Sequence, residues 1–104
     1  MSRVSNNKLR RSVVVGCGGY LPKNILTNED LAEQLETSDD WIKARSGIEK
    51  RHIAAPGELT SDLAAAAADV SLKSAGMRPK DIDLVIVATS TPDHTFPATA
   101  TTVQ

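Results

Sequence analysis

The chain's one tryptophan, Trp41, stands four residues before an arginine, Arg45, and the chemistry open to that pair is the gripping of a flat, anionic ligand. Side chains at i and i+4 of a helix leave from the same face, one turn apart. The indole offers a π face and the guanidinium a planar cation that stacks or binds phosphate. A purine ring between them would stack on both. The same spacing also fits a tryptophan packed into a core beside a solvated arginine, and the pattern alone does not choose between the two. The surrounding residues make the helix. Thr37 is a candidate N-cap, with Asp40 at the third helical position to complete a capping-box pattern. Asp39 and Asp40 put negative charge at the positive end of the helix dipole, and Gly47 lies where a left-handed cap needs no Cβ. The prediction is a short helix from about Ser38 to Arg45.

Other residues with chemical potential carry less. Cys17 closes an apolar run with no cation or helix N-terminus beside it in sequence to lower its pKa, so it reads as a small buried hydrophobe and not as a nucleophile. His52 lies in the charged stretch Glu49-Lys50-Arg51-His52, and His94 in a polar loop. Neither has a second ligand at metal spacing, and no metal site is expected. Lys50 and Arg51 are candidates to attract phosphate, set against ordinary solvated surface charge.

The elements that position these residues alternate. Ser12 to Cys17 is β-branched and apolar and predicts a buried strand, ended by Gly16, Gly18 and Gly19. A phosphate-cradling loop would need a helix to start there, and Tyr20-Leu21-Pro22 reads instead as extended chain. Thr27 and Asp30 form a second capping-box pattern, with Leu26 and Leu31 at staple spacing, and predict a helix from about Asn28 to Leu35. Ile48 to Ile53 reads as a short strand or extended arm, and Pro56-Gly57 as a turn. Ser61 to Ala75, rich in alanine and followed by Gly76, predicts a helix. Asp83 to Thr89 is a near-continuous apolar run, as in a parallel strand covered on both faces. A polar loop, Ser90 to Phe96, follows it, and Pro97 opens a last helix over Ala98 to Gln104. The fold class expected from this order is α/β, with a right-handed crossover between two parallel strands.

Composition bounds the class. With 12 basic and 13 acidic residues in 104, the chain has no general field for nucleic acid or an anionic membrane. No run reaches the about 18 apolar residues that span a bilayer, and the apolar stretch after the basic N-terminus is too short for a signal peptide. A cytoplasmic location is the default, and the single cysteine fits a reducing compartment.

Four blocks, in order, resemble the opening part of β-ketoacyl-acyl carrier protein synthase III, a thiolase-superfamily condensing enzyme. They are GCGGYLP (Gly16 to Pro22), LTNEDL (Leu26 to Leu31), TSDDWIKARSGIEKRHIAAP (Thr37 to Pro56) and LVIVATSTPDHTFPATA (Leu84 to Ala100). The resemblance implies the N-terminal part of a layered α/β/α fold, truncated, with a partial domain over 11–104; residues 1–10, polar and basic, read by themselves as a disordered leader. It implies a coenzyme A thioester as substrate with no permanently bound cofactor, acyl carrier protein as a partner, and a homodimer. It assigns coenzyme A nucleotide recognition to Thr37, Trp41 and Arg45, and makes Phe96 a residue that crosses the dimer interface to line the neighbouring acyl pocket. An ordinary core phenylalanine is the alternative for Phe96. The family's nucleophilic cysteine, and the histidine and asparagine that assist it, match no residue of this chain. Two other classes stay open: a coenzyme A-binding module without chemistry, and a dinucleotide-binding domain.

Overall fold

A computed structural model describes residues 9–104. Its elements, in chain order, are β1 (Asn24–Thr27), α1 (Asn28–Ala32), α2 (Asp39–Ser46), β2 (Lys50–Ile53), α3 (Thr60–Ala75), a 3-10 turn at Pro79–Asp81 and α4 (Thr99–Val103). β1 and β2 form an antiparallel pair in the register Asn24 with Ile53 through Thr27 with Lys50. The extended-arm reading of Ile48 to Ile53 is thus resolved as a strand, and its partner β1 had no signal of its own.

Local chemistry sets the helix ends. Thr27 Oγ1 accepts from the Asp30 N–H at 3.1 Å, while Asp30 Oδ2 accepts from the Thr27 N–H at 2.8 Å, so both halves of the box form. α1 is shorter than expected, ending at Ala32 and not Leu35. Gly47 (φ 71°) and Gly76 (φ 66°) cap α2 and α3 in the left-handed region, as their positions predicted.

The two buried strands expected at Ser12 to Cys17 and Asp83 to Thr89 are not formed as ladders. Among the described residues the sheet is two-stranded, and no backbone–backbone hydrogen bond joins either run to another segment. A parallel strand takes its hydrogen bonds from neighbouring strands, and none lies beside these runs. Burial agrees. Ile42 and Pro22 are the only apolar residues buried among the described residues, while Val14 and Ile86 are more than 80% exposed. The Cα radius of gyration is 20.2 Å, against the roughly 13 Å of a compact domain of about 100 residues. The described residues do not enclose a core of their own. Cys17 is likewise exposed, contrary to the buried position expected for it, because the helix that meets this segment touches the glycines on either side of it.

What the first run does have is α3. A Cβ built on Gly16 would lie 2.8 Å from Ala75 Cβ, and one on Gly18 would lie 2.5 Å from the Ser71 nitrogen. Glycine at these two positions lets the backbone touch the helix. The Gly cluster is a packing device here, in keeping with the rejection of a phosphate loop.

Candidate functional site

α2 presents the site. Its N-cap is Ser38, whose Oγ accepts from the Trp41 N–H at 3.2 Å. Thr37 was expected to cap it and does not. Two hydroxyl residues stand side by side, and the one whose backbone turns into the helix takes the cap. The Thr37 Oγ1 is instead buried without a hydrogen-bond partner. A buried hydroxyl with nothing to bond is costly and calls for an explanation.

Trp41 and Arg45 emerge together. Trp41 is 56% exposed, so the core reading of the tryptophan does not hold within the described residues. The Arg45 guanidinium carbon sits 5.2 Å from its ring centroid, a cation–π contact that orders both side chains. Bases stack about 3.4 Å apart, so a purine sandwiched between the two would need about 7 Å. The two side chains therefore leave no gap of that size between them, and the other face of the indole is the one the guanidinium does not occupy. Beside them runs an open groove of about 750 Å³, to which Leu31, Leu35, Thr37, Trp41, Ile48 and Arg51 contribute. Apolar walls with a few polar groups are the usual make-up of a small-molecule site.

Behind the groove lies a residue for which the sequence offered only a weak sign, an asparagine directly after a capping threonine. Asn28 is completely buried. Its Nδ2 donates to Asp39 Oδ1 at 2.9 Å and to the Ile48 carbonyl at 2.7 Å. Its Oδ1 accepts from Arg51 Nη1 at 3.2 Å, and its backbone N–H donates to the Glu49 carbonyl at 3.1 Å. One side chain therefore joins α1, the first residue of α2, and β2. Lys43, at 2.8 Å, and Asn28 together hold the Asp39 carboxyl below the usual range. On β2, His52 Nδ1 stands 2.6 Å from the Pro22 carbonyl. A carbonyl only accepts, so Nδ1 carries the proton.

The second group of predicted residues is apart from the first. Phe96 is 87% exposed on the loop before α4, so the core-phenylalanine reading does not hold within the described residues. Asp93 ties that loop to α3, its Oδ1 accepting from the Ser61 N–H at 2.9 Å and its own N–H donating to Thr99 Oγ1 at 3.2 Å. The Ser61 hydroxyl and N–H hold the Asp93 carboxyl below its ordinary value. The N-cap residue of α3, Leu59, has no capping side chain; Asp62 Oδ2 accepts from the Leu59 N–H at 2.8 Å, and Asp93 serves the Ser61 N–H from 32 residues away. Among the described residues, no group of three or more acidic, histidine or cysteine side chains could hold a metal ion, and no helix is long and apolar enough to cross a membrane.

The fold is that of thiolase-like condensing enzymes. The crystal structure of 3-oxoacyl-[acyl-carrier-protein] synthase III from Aquifex aeolicus superposes with a TM-score of 0.80 at 47% identity, over 86% of this chain and 29% of that one. The priming β-ketosynthase of the R1128 polyketide pathway superposes at 0.81 with 33% identity, over 86% and 27%. Within that class the chain groups by sequence with the β-ketoacyl-[acyl-carrier-protein] synthase III family. It is 62% identical over 94 residues to the synthase III of Rhodospirillum centenum, covering 90% of this chain. No family model matches it. The chain spans about 29% of the length of that relative.

Proposed function

We propose that these residues are the nucleotide-recognition part of a condensing acyltransferase that joins an acyl group from acyl-CoA to malonyl-acyl carrier protein. The observation that carries this reading is the half-exposed indole of Trp41 with the Arg45 cation against it, at the edge of an apolar groove. The free indole face takes the adenine, the guanidinium answers the phosphates, and Thr37 Oγ1 gains a partner in the ligand. Coenzyme A arrives as substrate, and no permanent cofactor is part of the scheme.

The full reaction uses residues beyond those present here. A cysteine thiolate takes the acyl group from acyl-CoA and releases the coenzyme A thiol. Malonyl-acyl carrier protein loses CO2, and the carbanion that remains attacks the acyl-enzyme and returns the thiolate. Histidine and asparagine side chains stabilise the developing oxyanion by hydrogen bonding. In this reading Cys17, an exposed residue on the segment before Gly18, is not that nucleophile.

In the same reading residues 11–104 are part of one thiolase-like domain, and the protein works as a cytoplasmic homodimer with neither nucleic acid nor membrane as partner; of the leader expected over 1–10, residues 1–8 lie outside the described residues. Phe96 supports the dimer, since an aromatic side chain this exposed finds no cover among the described residues. The likeness to the R1128 priming ketosynthase keeps a specialised homologue as a second reading for the choice of acyl group.

Steady-state kinetics of the complete protein carrying Trp41→Ala tests the proposal. An aromatic stack on a base is worth about 1–3 kcal/mol, so KM for acyl-CoA rises about 5- to 150-fold. An unchanged KM sinks it. Arg45→Lys, which keeps the charge and loses the plane, raises KM by less than Trp41→Ala does.

A further inference from the structure

We infer that Asn28 is a positioning residue for the groove, fixing the α2 helix and the Arg51 guanidinium relative to one another so that the free face of Trp41 opens beside a second, prearranged cation. The inference rests on the coenzyme A reading of α2 and adds to it a residue that touches no ligand and a guanidinium that can.

Three observations converge on Asn28. It is a fully buried polar side chain, and its amide engages three different segments: the start of α2 through Asp39, the chain entering β2 through the Ile48 carbonyl, and β2 itself through Arg51. Its two N–H groups and its oxygen point in opposite directions, so only an amide satisfies a carboxylate, a carbonyl and a guanidinium at once. Asp39 is the first residue of α2, and Trp41 follows two residues later, so a shift in the Asn28–Asp39 bond moves the indole. Arg51 lines the same groove as Trp41 and spends one recorded hydrogen bond on Asn28. A guanidinium has five N–H donors, which leaves others to meet an anion in the groove. Pinning one edge of the fork lowers the ordering cost of using the rest.

The test exploits the polarity of the amide. Asn28→Asp puts a carboxylate against Asp39 and removes the donor to Ile48. The reversed pair, Asn28→Asp with Asp39→Asn, restores a donor–acceptor contact between positions 28 and 39 and keeps an acceptor for Arg51. In the complete protein Asn28→Asp raises KM for acyl-CoA by about tenfold or more while kcat changes by less than about twofold, because small misplacements in a binding site cost affinity steeply. The reversed pair, which restores the 28–39 contact but neither the donor to Ile48 nor the Lys43 ion pair, recovers part of that loss. A residue that only supports the fold would lower the thermal midpoint, leave KM of the folded enzyme unmoved, and show no recovery in the reversed pair; that result overturns the inference. Should Asn28→Asp not fold, Arg51→Lys probes the other end of the contact, with a KM rise of about threefold or more expected and an unchanged KM contradictory. Trp41→Ala, measured alongside, separates the failures. If Trp41→Ala leaves KM unmoved, the coenzyme A reading falls and the inference with it. If Trp41→Ala raises KM and neither Asn28→Asp nor Arg51→Lys does, the inference alone falls.

Discussion

Alanine at Gly18 is predicted to destabilise the protein, and alanine at its neighbour Gly19 is not. A Cβ on Gly18 would lie 2.5 Å from the Ser71 nitrogen, 2.8 Å from Val70 Cγ1 and 2.9 Å from the Val70 carbonyl carbon, all closer than real Cβ contacts come. Two of those atoms are helix backbone and cannot rotate away, so the Gly18 segment must lift off α3. Forcing an extra methyl into packed structure costs about 1–3 kcal/mol. The loss of glycine's freedom in the unfolded chain offsets about 0.4–1 kcal/mol of this. At Gly19 no heavy atom lies within 4 Å of the built Cβ, and its φ is not positive. Only the unfolded-state gain applies there, and Gly19→Ala is stabilising by about 0.4–1 kcal/mol. Urea unfolding of the complete protein reads both, provided the slope is unchanged. A Gly18→Ala protein as stable as Gly19→Ala would refute the packing explanation of the glycine cluster.

Further outcomes follow from the caps and carboxylates. Ser38→Ala removes the α2 cap and costs about 0.5–2 kcal/mol in thermal or urea unfolding, whereas Thr37→Val, which deletes a buried hydroxyl with no partner, leaves the free protein as stable or more so. If Thr37 Oγ1 serves the ligand, the same valine weakens coenzyme A binding in calorimetry. Asp30, Asp39 and Asp93 all have lowered pKa values, through the bonds from Thr27, from Lys43 and Asn28, and from Ser61 respectively. Their folded values lie below the unfolded one of about 3.9, so their contribution is complete above that pH and disappears as pH falls through the lowered values. A stability profile that is flat between pH 5 and a region of about 2 would contradict this. Cys17→Ala leaves turnover within about twofold of wild type, as expected if this exposed thiol takes no part in the acyl transfer.

Which parts of this structure can be read from sequence depends on how far apart the interacting residues are. The Thr27–Asp30 box and the glycine caps at Gly47 and Gly76 are three- or four-residue devices, and they form where the residues predict. The α2 cap is also local, but Thr37 and Ser38 offer the same oxygen one residue apart, and only the backbone path decides between them. The runs Ser12 to Cys17 and Asp83 to Thr89 have strand composition, yet a strand exists only with a partner, and among the described residues neither run is paired in a ladder. For the site, the i, i+4 spacing brought Trp41 and Arg45 together as expected, although with a direct contact where a gap for a base was anticipated. The Asn28 network escaped notice because its partners lie 11, 20 and 23 residues away. Asp93 escaped for the same reason, reaching across 32 residues to α3.

The account turns on adenine stacking against Trp41, and Trp41 emission in the complete protein, isolated by subtracting the Trp41→Phe variant, measures it most directly. Titration with coenzyme A should quench that emission saturably, while pantetheine, which carries the thiol arm and lacks the adenine nucleotide, should leave it unaltered. Equal quenching by both, or by neither, would contradict the assignment of the α2 face to the nucleotide.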